Sequence, residues 1–111
     1  MADGNQTETC VWTGISGKTY KYWVHPIGTP LKAAAGNYIF AKRNNAGRWV
    51  AVYVGETEGL SERFDNHHAA PCINRNQATH IHAHLTPGGR QARLDEETDL
   101  RKNYNPPCNK Q

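Results

Sequence analysis

The stretch from Ala51 to His68, AVYVGETEGLSERFDNHH, sets Arg63 and His67 one helical turn apart just beyond a valine-rich run. A guanidinium presents parallel donors to an anion and an imidazole exchanges protons near neutral pH, so the pair suits a charged substrate. Tyr38 and Tyr53 fall in two strand-like runs, Glu97 in a helix-forming one, and Asn109 follows two prolines. Each also has an everyday explanation. Tyrosines on a strand usually pack, Arg63 has Glu58 and Asp65 close by, and Glu97 lies four residues from both Arg93 and Arg101, as in a surface ion pair. In the run His80, His82, His84, alternate side chains stand about 6 to 7 Å apart, so two could share a transition metal. With no CxxC and no acidic partner beside it, the run is expected to form an outward polar face.

The elements that must position these residues are short. The run CVWTGISGKTYKYWVHPIG reads as two β-prone pieces around Gly14 to Gly17, a hairpin accessory to the main sheet. TPLKAAAG is a connector or a single helical turn. NYIFAKR and RWVAVYV are strands separated by Asn44-Asn45-Ala46-Gly47, a turn suited to positive φ. With Asn45 and Ala46 at its centre, Tyr38 faces Tyr53, Ile39 faces Val52 and Phe40 faces Ala51. One sheet face then carries Tyr38, Phe40, Trp49, Ala51 and Tyr53, and the other Ile39, Ala41, Val50, Val52 and Val54. A bulge at Gly47 would change that pairing. Leu60 and Phe64 give a short helix its apolar edge, AAPCINRNQA is a loop with room for a helical turn, and THIHAHL alternates as a third strand. RQARLDEETDLRKNY reads as a helix that NPPCN stops.

Composition narrows the class. At 111 residues the chain is one domain's worth, with 37% hydrophobic and 21% charged residues, as in a mixed globular fold. No apolar run approaches the about 18 residues of a membrane span, and MADGNQTETC lacks a signal-peptide pattern, so a cytoplasmic protein is expected. Cys10, Cys72 and Cys108 form an odd set and read as reduced thiols. Thirteen Lys and Arg against ten Asp and Glu give +3, too mild a charge to establish a nucleic-acid partner. Lys42, Arg43 and Arg48 flank one turn, and Arg90, Arg93, Arg101 and Lys102 share the last helix; solvated faces explain both groups.

The ordered set GNYIF, VYVG, Arg63 eight residues after Gly55, His67 four later, and Glu97 twelve residues before Asn109 resembles the GIY-YIG nuclease superfamily over about Gly36 to Asn109. The resemblance implies an α+β fold, a three-stranded antiparallel sheet flanked by helices, here carrying an N-terminal β-hairpin. Residues 1–35 would be an extension and 36–111 the nuclease-like domain. It implies a DNA endonuclease that hydrolyses phosphodiesters with one divalent cation, Mg²⁺ or Mn²⁺. By the same resemblance Tyr38 takes a proton from the attacking water or positions it, and Tyr53 and Gly55 form the second triplet. Arg63 binds phosphate, Glu97 holds the metal, and Asn109 supports the site. His67 stands where the restriction-enzyme-like branch carries histidine.

Those residue types fit the chemistry. Fixed positive charge stabilises the oxygens of a phosphodiester as they gather charge, and a hard cation keeps waters while bound through as little as one carboxylate. Tyrosine, with a reference pKa near about 10, is a weak base at neutral pH, so Tyr38 is the first candidate for the base and His67 the second. The middle residues of both triplets differ from the family's pattern, at Asn37 and Val54. Many family members attach a DNA-targeting domain, so specificity here is expected from residues 1–35, loops such as Ala69 to Ala78, a homodimer, or a targeting partner protein. The rival functions are a catalytically silent nucleic-acid-binding module on the same fold and a histidine-rich metal-binding protein.

Overall fold

The structure is a computed structural model that describes residues 8–62 and 67–109. The α+β class holds. Five strands, β1 (Thr9–Thr13), β2 (Thr19–Pro26), β3 (Gly36–Arg43), β4 (Trp49–Thr57) and β5 (His80–Leu85), form one antiparallel sheet in the order β1-β2-β5-β3-β4. The expected three strands are therefore the β5-β3-β4 part of a wider sheet. The N-terminal hairpin is present, and β2 zips onto β5 through Trp23↔Ala83, Val24↔His82 and His25↔Ile81. Two helices complete the fold, α1 (Ala70–Arg75) and α2 (Gly89–Tyr104), with 3₁₀ turns at Leu60–Glu62 and Pro107–Asn109. Residues 29–35, the segment read as connector or helical turn, form no regular element.

Both faces of the sheet are covered. On one, Tyr38, Phe40, Tyr53, Ile81 and Ala83 pack beneath Leu60, Ala69, Ile73 and Cys108. On the other, Trp12, Tyr20, Tyr22, Ile39, Ala41, Ala51 and Val54 pack against Leu100 of α2. Burying a large apolar side chain contributes about 1.5–3 kcal/mol, so this pair of cores, rather than any ion pair, holds the layers together. The hairpin supplies Trp12, Tyr20 and Tyr22, and thus shares a core with α2. Among the described residues no helix is long and apolar enough to cross a membrane.

The β3-β4 register differs from the sequence expectation in two steps. Gly47 takes φ 79°, a left-handed conformation open to glycine, so the turn has three residues, 45 to 47, and Arg43 pairs with Trp49. A bulge between Phe40 and Ala41 then leaves Val52 without a partner in β3: Ala41 faces Ala51, but Phe40 faces Tyr53 and Tyr38 faces Gly55. Trp49 and Ala51 consequently join Ile39, Ala41 and Val54 on the α2 side, while Val52 joins the tyrosines. Tyr38 and Tyr53 still share a face, as diagonal neighbours with ring centroids 6.1 Å apart. Gly55 is required opposite Tyr38, because a Cβ there would sit 2.5 Å from the phenol Cζ.

Two further expectations are corrected. Cys72 and Cys108 form a disulfide that joins α1 to the C-terminal turn, leaving Cys10 as the free thiol. Such bonds persist mainly in oxidising compartments, so the cytoplasmic expectation gains no support from it. The histidine run is not an outward polar face. His82 is fully buried, His84 bonds Glu96 at 2.9 Å, and His80 meets Thr79 and the Trp49 ring. His82 Nδ1 accepts from the Trp12 indole N–H at 3.0 Å, and among the described residues its Nε2 finds no hydrogen-bond partner.

That burial sets a pH dependence. Desolvation, reinforced by His80, His25 and Arg43, pushes the His82 pKa down to about 3 from 6.5. The folded state therefore keeps a neutral ring that the unfolded chain protonates below pH 6.5, so this contribution is complete above that pH and lost as pH falls toward 3. Between pH 6.5 and 4 the loss amounts to about 3 kcal/mol. Urea midpoints measured across this range should fall steeply for the native chain and less steeply for His82→Gln. An equal slope in both would contradict the assignment to His82.

Candidate active site

Tyr38 and His67 lie on the face opposite α2, both buried, with Tyr38 Oη 2.7 Å from His67 Nε2. The Ala69 backbone N–H donates to His67 Nδ1 at 3.0 Å. A backbone amide is an obligatory donor, so Nδ1 carries no proton, and in the neutral ring Nε2–H donates to Tyr38. The polarity of this pair is fixed by the turn before α1. Such a bond strengthens when the phenol oxygen takes on negative charge. Tyr53 stacks beside Tyr38, and His67 meets both rings edge to face.

His68 is a neighbour that reading the sequence did not single out. It stacks on His67 with centroids 4.7 Å apart, and its Nε2 lies 3.4 Å from Tyr53 Oη. The doubled histidine of DNHH was its only signal. Arg63 lies outside the described residues.

On the other side of the sheet, α2 is anchored by charge as well as by Leu100. Arg93, which is buried, donates to Glu56 at 2.9 Å, with Arg90 at 3.9 Å from the same carboxylate. Arg93 is thus a buried tie between α2 and the end of β4, not part of a solvated face. Asn37 is fully buried. Its amide donates to the carbonyls of Gly55 and Arg93 at 3.3 and 3.0 Å, while its oxygen accepts from Thr86 Oγ1 at 2.7 Å. An apolar side chain would forfeit all three bonds, each worth about 0.5–1.5 kcal/mol.

Glu97 projects from α2 toward the β4 edge. Its hydrogen bond among the described residues is to Arg101, at 3.5 Å. Burial raises its pKa above the ordinary carboxylate value; Arg101 opposes the shift, and the negative charge of Glu56 adds to it. Tyr38, Tyr53 and His67 sit on the opposite face of the sheet. The link between the two groups runs around the edge strand. Arg101 donates to the Asn109 carbonyl at 3.3 Å, and the Asn109 side chain clamps Val54, accepting from its N–H at 2.8 Å and donating to its C=O at 2.9 Å.

Asn109 can do this because the chain turns there. Asn105 ends α2 at φ 50°, and the prolines carry the backbone past β4 to the tyrosine side, where Cys108 is buried. Beside this crossing lies a cleft of about 400 Å³ lined by Thr98, Arg101, Lys102, Asn105, Pro106 and Asn109. Tyr53 and Gly55 flank the clamped Val54. The structure therefore brings Tyr38, Tyr53 and His67 into one cluster and ties Glu97 and Asn109 to the adjoining strand edge.

Among the described residues no three His, Cys, Asp or Glu side chains are grouped to hold a metal ion. Glu97 is a single, largely buried carboxylate whose charge is disfavoured by burial and by Glu56, so a cation beside it would favour its ionised form. Comparison with protein-family models, curated proteins and solved structures yields no match.

Proposed function

We propose that this chain is a divalent-metal-dependent DNA endonuclease of the GIY-YIG type, using Tyr38, Tyr53, Arg63, His67, Glu97 and Asn109. The observation that carries the reading is the Tyr38–His67 bond, with its donor polarity set by Ala69. His67 has Nδ1 occupied and offers Nε2–H, so it positions and stabilises Tyr38 rather than acting as the base. Tyr38, as phenolate, takes the proton of a water whose oxygen attacks phosphorus. The bond from phosphorus to the leaving oxygen breaks, and that oxygen takes a proton from solvent, giving a phosphate monoester and a hydroxyl, while Tyr38 returns its proton to solvent.

Glu97 would hold Mg²⁺ or Mn²⁺, which when bound neutralises charge on the phosphate oxygens. Arg63 supplies bidentate contact to the same phosphate. Asn109 fixes the β4 edge, and Arg101 and Lys102 on the adjoining cleft attract the DNA backbone. Targeting falls to the N-terminal hairpin, to a homodimer or to a partner protein, and a cytoplasmic setting remains the proposal for location.

A second reading has one observation in its favour. Glu97 paired with Arg101 on the face opposite the tyrosines is what a helix forms in a binding module that cuts nothing. Supercoiled plasmid separates the two. The purified chain should relax it in Mg²⁺ or Mn²⁺ and leave it intact in EDTA, whereas Arg63→Ala should leave it intact in either. Binding without relaxation in any of these metals would favour the silent module.

A further inference from the structure

On the tyrosine face of the sheet, the register sets Trp23, Ala83, Tyr38 and Gly55 in one cross-strand row through β2, β5, β3 and β4. Paired residues in a row project to the same face, and strands lie about 4.8 Å apart, so Trp23 stands about 10 Å from Tyr38 with only a methyl group between them. Trp23 is 41% exposed, although Tyr38 in the same row is buried. Beside it opens a cleft of about 400 Å³, walled by Trp23, Leu31 and Leu85 over Ala83, with His25 and Lys32 at its margin. That volume falls in the range of about 300–1,000 Å³ that small ligand groups fill.

Its chemistry is aromatic and cationic. Among the described residues no carboxylate lines it, Lys32 is in its wall, and Lys21 Nζ lies over one face of the Trp23 ring, 5.7 Å from its centroid, leaving the other face for stacking. A flat exposed indole with lysines around it matches a base and its phosphates. A base inside a matched duplex has both faces covered by its neighbours, so only an unstacked nucleotide can enter.

We propose that this cleft binds one unpaired nucleobase close to the scissile phosphate, stacked on Trp23, so that the preferred substrate carries single-stranded nucleotides at the cut. This rests on the nuclease reading and deepens it. The N-terminal hairpin thereby becomes part of the substrate site.

Fluorescence polarisation of a short fluorescein-labelled oligonucleotide, single-stranded or annealed to its complement, tests the proposal in EDTA, where no cutting occurs. Trp23→Ala should weaken single-strand binding roughly tenfold or more, the worth of one stacked base, while Trp23→Phe keeps most of it and the matched duplex shifts much less. Melting curves check that both variants fold. Unchanged single-strand binding by Trp23→Ala, or equal weakening on both DNA forms, overturns the proposal. So does loss of a dimer in Trp23→Ala with unaltered DNA binding, which would mean that a second copy covers the cleft. If the native chain relaxes plasmid and only the Trp23 result fails, the nuclease reading stands without this site; if it neither binds nor cuts any DNA, both fall.

Discussion

Glu97→Ala should fold normally and lose DNA cleavage by about 10³-fold or more, since a cation's charge stabilisation of the transition state is worth several kcal/mol. The fold should survive because the side chain makes one 3.5 Å ion pair with a half-exposed arginine, an interaction worth about 0–1 kcal/mol. Removing a carboxylate that burial already disfavours costs the folded state little. The same burial predicts where activity fails in acid. Burial holds the Glu97 pKa above its ordinary value, so as the solution is acidified the rate should begin to fall at a higher pH than an unperturbed carboxylate would set. Plasmid relaxation by native and Glu97→Ala protein, with melting curves for both, checks this. A variant that cuts within tenfold of the native rate would remove Glu97 from the site.

Tyr38→Phe should lower the rate by about 10²–10⁴-fold, the usual span for a general base. Phenylalanine keeps the ring stacked on Tyr53 and edge-on to Phe40, so the sheet face is preserved. It takes away the oxygen that accepts from His67 Nε2–H, which costs about 1–3 kcal/mol of stability at a buried site. Melting curves separate that cost from the catalytic one. Plasmid cutting by Tyr38→Phe within tenfold of the native rate would mean that the base is another group.

The sequence made the elements and the candidate residues legible but not how they are tied together. Alternation in THIHAHL and the glycine-rich turns located the strands, since side-chain period and turn chemistry act over a few residues. The β3-β4 register was missed because β4 is apolar on both faces. A bulge at Val52 shifts the phase without leaving any polar residue exposed to mark it. Pairing of β2 with β5 joins Trp23 to Ala83, sixty residues apart, and no local signal reports so distant a contact. The burial of His82 was hidden for the same reason, because Trp12 from the hairpin and Trp49 from β4, both distant in sequence, cover that side of β5. Cys72 and Cys108 meet only because the chain turns around the β4 edge after α2. The Asn109 clamp depends on the same turn.

Asn37 shows how a departure from a motif can carry information. Read alone, Gly-Asn-Tyr in place of the family's first triplet looks like loose variation. In the fold, that amide ties β3 to β4 and to α2, which carries Glu97.

The central claim of the proposal is that a cation held by Glu97 sits at the β4 edge, beside the Val54 backbone that Asn109 clamps. Titrating Mn²⁺ into ¹⁵N-labelled protein and following paramagnetic broadening of the amide signals locates that cation. The account predicts that broadening starts at Glu97, Val54 and Gly55 and disappears in Glu97→Ala. Broadening centred instead on the histidines of β5, or spread evenly over the chain, would contradict it.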